Sequence, residues 1–344
     1  MISGIPQGSV IGPLLFVIFI NDLPDVIKNS HIFLFADDMK LFNPIYNEEN
    51  CNILQKDLTS AEKWSETSLL KFHPDKCCNM RIGRSSIRND GYTMGKDQKT
   101  INKAETVKDI GVTFDSSLNF EAHMSEKINK ANSMMGIIRR TFEYLDDKCF
   151  STVFKSLVRP HIEYANQVWS PYLMKHITAL ENVQRRATKL IPGYKELDYK
   201  ERLIRLKLPT LSYRRLRGDM IEIYKILTGK YDSTVTSNFV TLRDNDSITR
   251  GHNLKIFKER CRLNIRKNSF VYRSTDIWNS LPQHVVDAPS VQSFEGRLDK
   301  LWKNHPIKND FTAPPQLWTV SPLDACAQSQ NNDQDRAGTR GRNA

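Results

Sequence analysis

Two aspartates stand side by side in LFADDMKLF, Leu34 to Phe42, between short apolar runs rich in aromatic residues. Adjacent carboxylates repel, so a chain leaves such a pair in water or gives it a cation. Ala36-Asp37-Asp38-Met39 has the grammar of a tight hairpin, with β-favouring arms on both sides and the pair at the tip. A hairpin tip is a rigid mount for carboxylate oxygens, the ligands that hard divalent ions take. The pair by itself does not choose between solvent and metal. A second pair, Asp146-Asp147 in EYLDDKCF, precedes a helical stretch and reads as an N-cap with an acidic first turn.

The elements that must position Asp37 lie on either side of it. GIPQGSVIGPLLFVIFINDLP, Gly4 to Pro24, opens with a Gly/Pro loop and continues as a short, almost wholly apolar helix, with Gly12-Pro13 near its start and Asn21, Asp22 and Pro24 at its end. A helix apolar on every side is expected in a core. The spacing predicts a helix over residues 48–68, with Ile53, Leu54, Leu58, Ala61 and Trp64 on one face. Residues 69–83 read as turn plus strand, and residues 107–124 as strand, turn and helix entry. Further helices are expected over 121–142, 147–169 with a break at Pro160, 174–191, 213–227 and 291–302. From about His305 the chain is rich in Gln, Asn, Asp and Gly with no net formal charge, and disorder is expected there.

The 344 residues carry a formal charge of +11, unevenly spread. Residues 1–50 hold two Lys against six acids; residues 181–217 hold eleven Lys or Arg against four acids; residues 251–275 hold seven against Glu259 alone. An acidic head followed by basic segments fits a polyanion partner such as nucleic acid, or else ordinary solvated surfaces. The six cysteines show no CxxC spacing, which argues for reduced thiols in an intracellular protein. The apolar run Val10–Ile20 lacks a basic leader and is too short to span a bilayer, so neither a signal peptide nor a membrane partner is expected.

GIPQGSVIGPLLF, FADD, LLKFHPDK and VKDIGVTFD occur in an order that resembles the reverse transcriptases of jockey-like non-LTR retrotransposons, where they are palm motifs B, C, D and E. RPHIEYANQVWSP, LENVQRRATKLIPG and STDIWNSLP are similar to the region such elements carry beyond the palm. The resemblance implies an α+β fold: a partial polymerase palm, an antiparallel sheet with a packed helix, then a mainly α-helical thumb and C-terminal region. The corresponding divisions are 1–118 for the palm, 119–230 for the thumb-like helices, 231–304 for the C-terminal retroelement region and 305–344 for the tail.

By the same resemblance the reaction is template-directed nucleotidyl transfer, with an RNA template, a DNA primer and deoxynucleoside triphosphates as partners. Such an in-line displacement suits a two-metal Mg²⁺ site, which needs only one or two protein carboxylates. Asp37 is then the metal ligand and Asp38 its supporting neighbour. Pro6, Gln7, Gly8, Phe35 and Ala36 are implied at the incoming nucleotide, and Lys76 near the leaving pyrophosphate. Gly111 of motif E is implied at the primer. Arg185, Arg186, Lys189, Arg214, Arg215 and Arg217 are candidates for phosphate contacts along the basic helices, with Tyr213 among them. His73 and Cys77 depart from the family's usual Asn and Thr.

The family also places a metal-binding aspartate on a strand, motif A, ahead of the PQG loop. Met1 stands three residues before Gly4. The expectation is therefore a fragment without polymerase activity by itself, its hairpin edge unpaired, with a partner supplying the other half. The alternatives are a non-catalytic nucleic-acid-binding remnant and a decayed copy of an element.

Overall fold

The computed structural model describes residues 8–83, 91–236, 239–243 and 251–314. They belong to two compact units, Met1–Leu118 and Asn119–Ala344. The first is mixed α+β with small, mostly antiparallel sheets, and the second is largely α-helical. Among the described residues no helix is long and apolar enough to cross a membrane.

In the first unit, α1 (Gly12–Ile20) starts with proline in its first turn and carries no side-chain cap. Strands β1 (His31–Phe35) and β2 (Asp38–Phe42) form a two-stranded antiparallel hairpin. α2 (Glu48–Thr67) is nucleated by a reciprocal capping box between Asn47 and Asn50. Strands β3 (Thr106–Asp109) and β4 (Val112–Asp115) form a second hairpin. A parallel bridge joins Cys78–Asn79 to Asn102–Lys103, the one strand pair among the described residues that is not antiparallel. The core gathers Ile20, Leu23, Ile27, Ala61 and Trp64, against which Ile32, Leu34, Met39 and Leu41 of the hairpin pack.

The expectation that α1 lies buried is corrected. Only Ile20 in it is buried, while Leu14, Val17, Ile18 and Phe19 are 50–64% exposed. Phe19 meets the Trp64 ring edge-on, 6.4 Å between centroids, while Leu14, Val17 and Ile18 stay open, and contiguous apolar surface of this kind marks a contact face. Leu14→Glu with Ile18→Glu should leave the unit folded, because neither side chain is in the core, and should reduce self-association in sedimentation velocity. Unchanged association would show that the helix face is not the sticky surface.

Asp57 on α2 fixes the chain entering the hairpin. Its buried carboxylate accepts the backbone N–H groups of Lys28 (3.3 Å), Asn29 (3.1 Å) and Ser30 (2.7 Å). Burial alone would push its pKa up; hydrogen bonds from Ser30, Lys28 and Asn29 outweigh that and hold it below the ordinary 3.8. A depressed native pKa means stability that is present above the unfolded value and lost as pH falls through the folded one. Asp57→Ala should therefore cost about 1.5–3 kcal/mol at neutral pH. That deficit, read by urea denaturation, should shrink on acidification below the ordinary carboxylate range.

In the second unit, α3 (Glu121–Thr141) leads to α4 (Asp147–Val153), a wide π turn over Phe154–Val158, and α5 (Arg159–Glu163). The π turn absorbs Pro160, whose ring would collide with a preceding carbonyl in a regular helix, so the expected break falls where the residue dictates. α6 (Met174–Ala187) and α7 (Tyr199–Leu206) follow, the latter with an Asp198/Glu201 capping box. α8 (Leu211–Leu227) packs against α6, α9 (Phe270–Asn279) and α10 (Val291–Leu301). One core, including Met220, Ile223, Tyr224, Trp278, Phe294 and Trp302, runs from Tyr213 to Ile307. The chain stays packed past His305: Thr210 N–H donates to the Lys308 carbonyl at 2.9 Å, and Ile307 is buried. The tail expected to be disordered lies outside the described residues from 315 onward.

Candidate active site

The two-residue turn Ala36-Asp37 joins β1 to β2. Ala36 sits in the left-handed region at φ +51°, a conformation costing a residue with a Cβ about 1–2 kcal/mol. The register pairs Phe35 with Asp38, Phe33 with Lys40 and His31 with Phe42, so these six share one face of the hairpin. The other face is the apolar one packed on the core. On the outer face Phe42 stacks on His31 (4.7 Å between ring centroids) and on Phe33 (5.5 Å), while Phe33 and Phe35 are more than half exposed. Asp38 therefore leaves the sheet on an open aromatic surface, with Asp37 at its tip.

No hydrogen bond or ion pair engages either carboxylate among the described residues. Lys40, the cation on Asp38's own face, is taken instead by Asp109 of β3. That ion pair ties the second hairpin to the first and leaves the aspartates un-neutralised. Exposed, unshared carboxylates are a donor set that fits Mg²⁺, which fills its remaining positions with water and substrate phosphate oxygens. No group of three or more His, Cys, Asp or Glu residues converges among the described residues. Asp22 is unavailable to the tip, since it accepts the Trp64 indole N–H at 3.0 Å. The other pair is satisfied internally: Asp146 accepts the Cys149 N–H at 2.6 Å and Asp147 the Tyr194 hydroxyl at 2.7 Å.

Pro6 and Gln7 lie outside the described residues, while Gly8 is exposed at φ +85°. Lys76 is exposed in the turn 74–76, its N–H donating to the His73 carbonyl at 2.9 Å. That turn follows Phe72, which packs on the same core as the hairpin. The neighbouring Asp75 is held below its ordinary pKa by the Lys99 ammonium. Gly111 and Ile110 form the β3–β4 turn at φ +76° and +41°, the mirror-image geometry that suits a twisted hairpin and favours glycine. Among the described residues five cysteines are free thiols, and Cys326 lies outside them.

The basic helices are rearranged relative to expectation. Arg214 makes a two-pronged ion pair with Glu163, and Arg217 bridges Asp299 (2.7 Å) and Glu295 (3.2 Å). Arg215 is 5% exposed; burial pushes its pKa down against the pull of Glu181 and Asp219. Arg214 and Arg217 thus tie elements together through ion pairs, and Arg215 is buried. Tyr213 is buried against Trp302 and His305, and burial raises its pKa to about 12. Arg185 lies over the Tyr199 ring at 5.2 Å, half-buried. Arg186 and Lys189 alone among the six stay exposed, without a carboxylate partner among the described residues.

Comparison with known proteins covers the same ground. The family described as "Reverse transcriptase (RNA-dependent DNA polymerase)" matches residues 2–114. The chain is 25% identical over 207 residues to a probable RNA-directed DNA polymerase from transposon BS of Drosophila melanogaster, covering 56% of this chain and 22% of that protein. It is 26% identical over 206 residues to the RNA-directed DNA polymerase from mobile element jockey of Drosophila funebris, with the same coverage of each. A probable RNA-directed DNA polymerase from transposon X-element of Drosophila melanogaster is 23% identical over 209 residues. The chain thus spans about a fifth of the length of these relatives. No solved structure matches it. The open carboxylate hairpin therefore sits in a reverse-transcriptase-like domain related to the polymerases of jockey, BS and X-element non-LTR retrotransposons.

Proposed function

We propose that this chain contributes the metal-binding hairpin to RNA-directed DNA synthesis, with Asp37 as the metal ligand and Asp38 its support. The observation that carries the reading is the hairpin itself: two unshared carboxylates at its tip, with the lysine on Asp38's own face diverted to Asp109. Bound Mg²⁺ would stabilise charge on the attacking and leaving oxygens of the displacement. The chain's own groups do the rest. Phe35 and Ala36, with Pro6, Gln7 and Gly8, position the nucleotide; Lys76 gives a proton toward the leaving pyrophosphate; Gly111 borders the primer. Arg186 and Lys189 meet phosphates.

A further carboxylate is needed for the paired-metal arrangement, and a partner supplies it. The uncovered face of α1 and the edges of the hairpin are where that half packs. By itself the chain is then inactive. A second reading, a nucleic-acid-binding module without catalysis, draws on the fact that no third ligand joins Asp37 and Asp38 among the described residues. Extension of a DNA primer on an RNA template separates the two. Magnesium-dependent incorporation that needs Asp37 supports catalysis, whereas salt-dependent binding indifferent to Asp37, with no incorporation in any longer frame containing this chain, supports the second.

A further inference from the structure

The basic segment 251–275 and the STDIWNSLP stretch contribute nothing to the carboxylate hairpin. The structure gives both a role. Residues 241–243 pair with 255–257: Phe257 N–H donates to the Thr241 carbonyl and Arg243 N–H to the Lys255 carbonyl, each at 2.8 Å. The WNSLP residues clamp this ribbon from α9. Asn279 accepts the Ile256 N–H at 2.8 Å and donates to its carbonyl at 2.9 Å, and the Trp278 indole N–H donates to the Leu254 carbonyl at 2.8 Å. Ile256 is thereby driven into the core, and strand alternation sends Phe257 the opposite way, 52% exposed.

There Phe257, Phe239 (55% exposed), Phe270 and Tyr272 line an open groove of about 400 Å³, whose own two basic residues are already paired, Lys258 with Asp276 and Arg266 with Glu259. Glu259, the one acid in the segment, is already occupied: it accepts Arg266 at 2.7 Å and the Tyr272 hydroxyl at 2.9 Å. Arg260, Arg262 and Lys267 adjoin these residues in the chain, exposed and without a carboxylate partner among the described residues.

Exposed ring faces, with unpaired cations on the same short chain segment, are the chemistry that holds unpaired bases and their phosphates. A duplex keeps its bases stacked away from such rings, and an acidic peptide would leave the rings idle. We propose that this groove binds a single-stranded nucleic-acid segment, bases stacking on Phe257 and Phe239 and phosphates facing Arg260, Arg262 and Lys267. The inference rests on the proposed function only for nucleic acid as the ligand class, and it requires neither Asp37 nor metal.

Anisotropy of fluorescein-labelled oligouridylate with the full chain, in a chelator, tests it. Phe257→Ala and Phe239→Ala should each weaken binding about 5- to 150-fold. Tyr144→Ala, an aromatic elsewhere in the unit that is more exposed still at 90%, should have no effect. Arg260→Gln and Arg262→Gln should each reduce the salt slope by about 0.7. Strand binding that ignores both phenylalanines overturns the groove while leaving the nucleic-acid reading standing. No strand binding at all overturns both. Duplex binding of equal strength and equal sensitivity to Phe257 overturns the single-strand assignment. Polyglutamate that binds in a Phe257-dependent manner, and displaces the strand, makes the groove a peptide site instead.

Discussion

In the assembly that completes the metal site, Asp37→Ala should lower Mg²⁺-dependent primer extension by on the order of 10³-fold, with Asp38→Ala lowering it less and Asp146→Ala leaving it unchanged. The contrast among three aspartates follows from what each carboxylate already touches. Asp37 and Asp38 touch nothing among the described residues, so their charge is free to meet a cation. Asp146 spends its oxygen on the Cys149 N–H at the start of α4, and its loss should appear as about 0.5–2 kcal/mol of stability instead. A readout independent of activity uses Mn²⁺ as a paramagnetic stand-in. Amide resonances of Phe35 to Met39 should broaden on titration and cease to do so in Asp37→Ala. Broadening that survives this substitution, or that is as strong around Asp146-Asp147, would remove the metal role.

What could be read from the sequence divides along a physical line. Helices α2 and α8 lie close to where their three- and four-residue apolar spacing places them, because that spacing records which face is buried. The hairpin was legible for the analogous reason, apolar arms alternating around a polar turn. α1 misleads because composition reports that a helix wants a partner, not that one is present. The partners of the arginines were not legible at all. Arg214, Arg215 and Arg217 look like a basic stripe, yet the acids that claim two of them lie 51 residues back (Glu163) and 82 residues ahead (Asp299). Helical periodicity carries no information at that range. The groove on Phe257 was hidden for a similar reason: the basic run was visible, but only the clamp from Asn279 shows which ring faces out.

The largest stability effect should come from the buried pair that closes α8 against α9. Arg273 donates to both oxygens of Asp219, at 2.8 and 2.9 Å, and also reaches the carbonyls of Gln167 and Asn268 at 3.2 Å. Asp219 is 3% exposed. Burial pushes its pKa above the ordinary 3.8, with the Arg273 charge first among the influences opposing that rise. Arg273→Ala removes the opposition and leaves a carboxylate out of water with its main partner gone. Such a loss costs about 3–5 kcal/mol, more than the intact pair need contribute, because the desolvation penalty stays behind. For a unit of this size that is a fall in Tm of roughly 6–20 °C. The pH dependence has a definite sign. A carboxyl whose native pKa is raised takes up a proton on folding, so stability drops as pH rises from the unfolded pKa towards the folded one. The variant's deficit should accordingly be smaller near pH 4 than near pH 7. Replacing both partners, Asp219→Leu with Arg273→Met, should recover most of the loss, since a matched apolar pair carries no stranded charge. A deficit that is flat with pH, or a double variant no better than the single, would mean that Arg273 acts through packing over the Phe270 ring, 5.6 Å away, and not through Asp219.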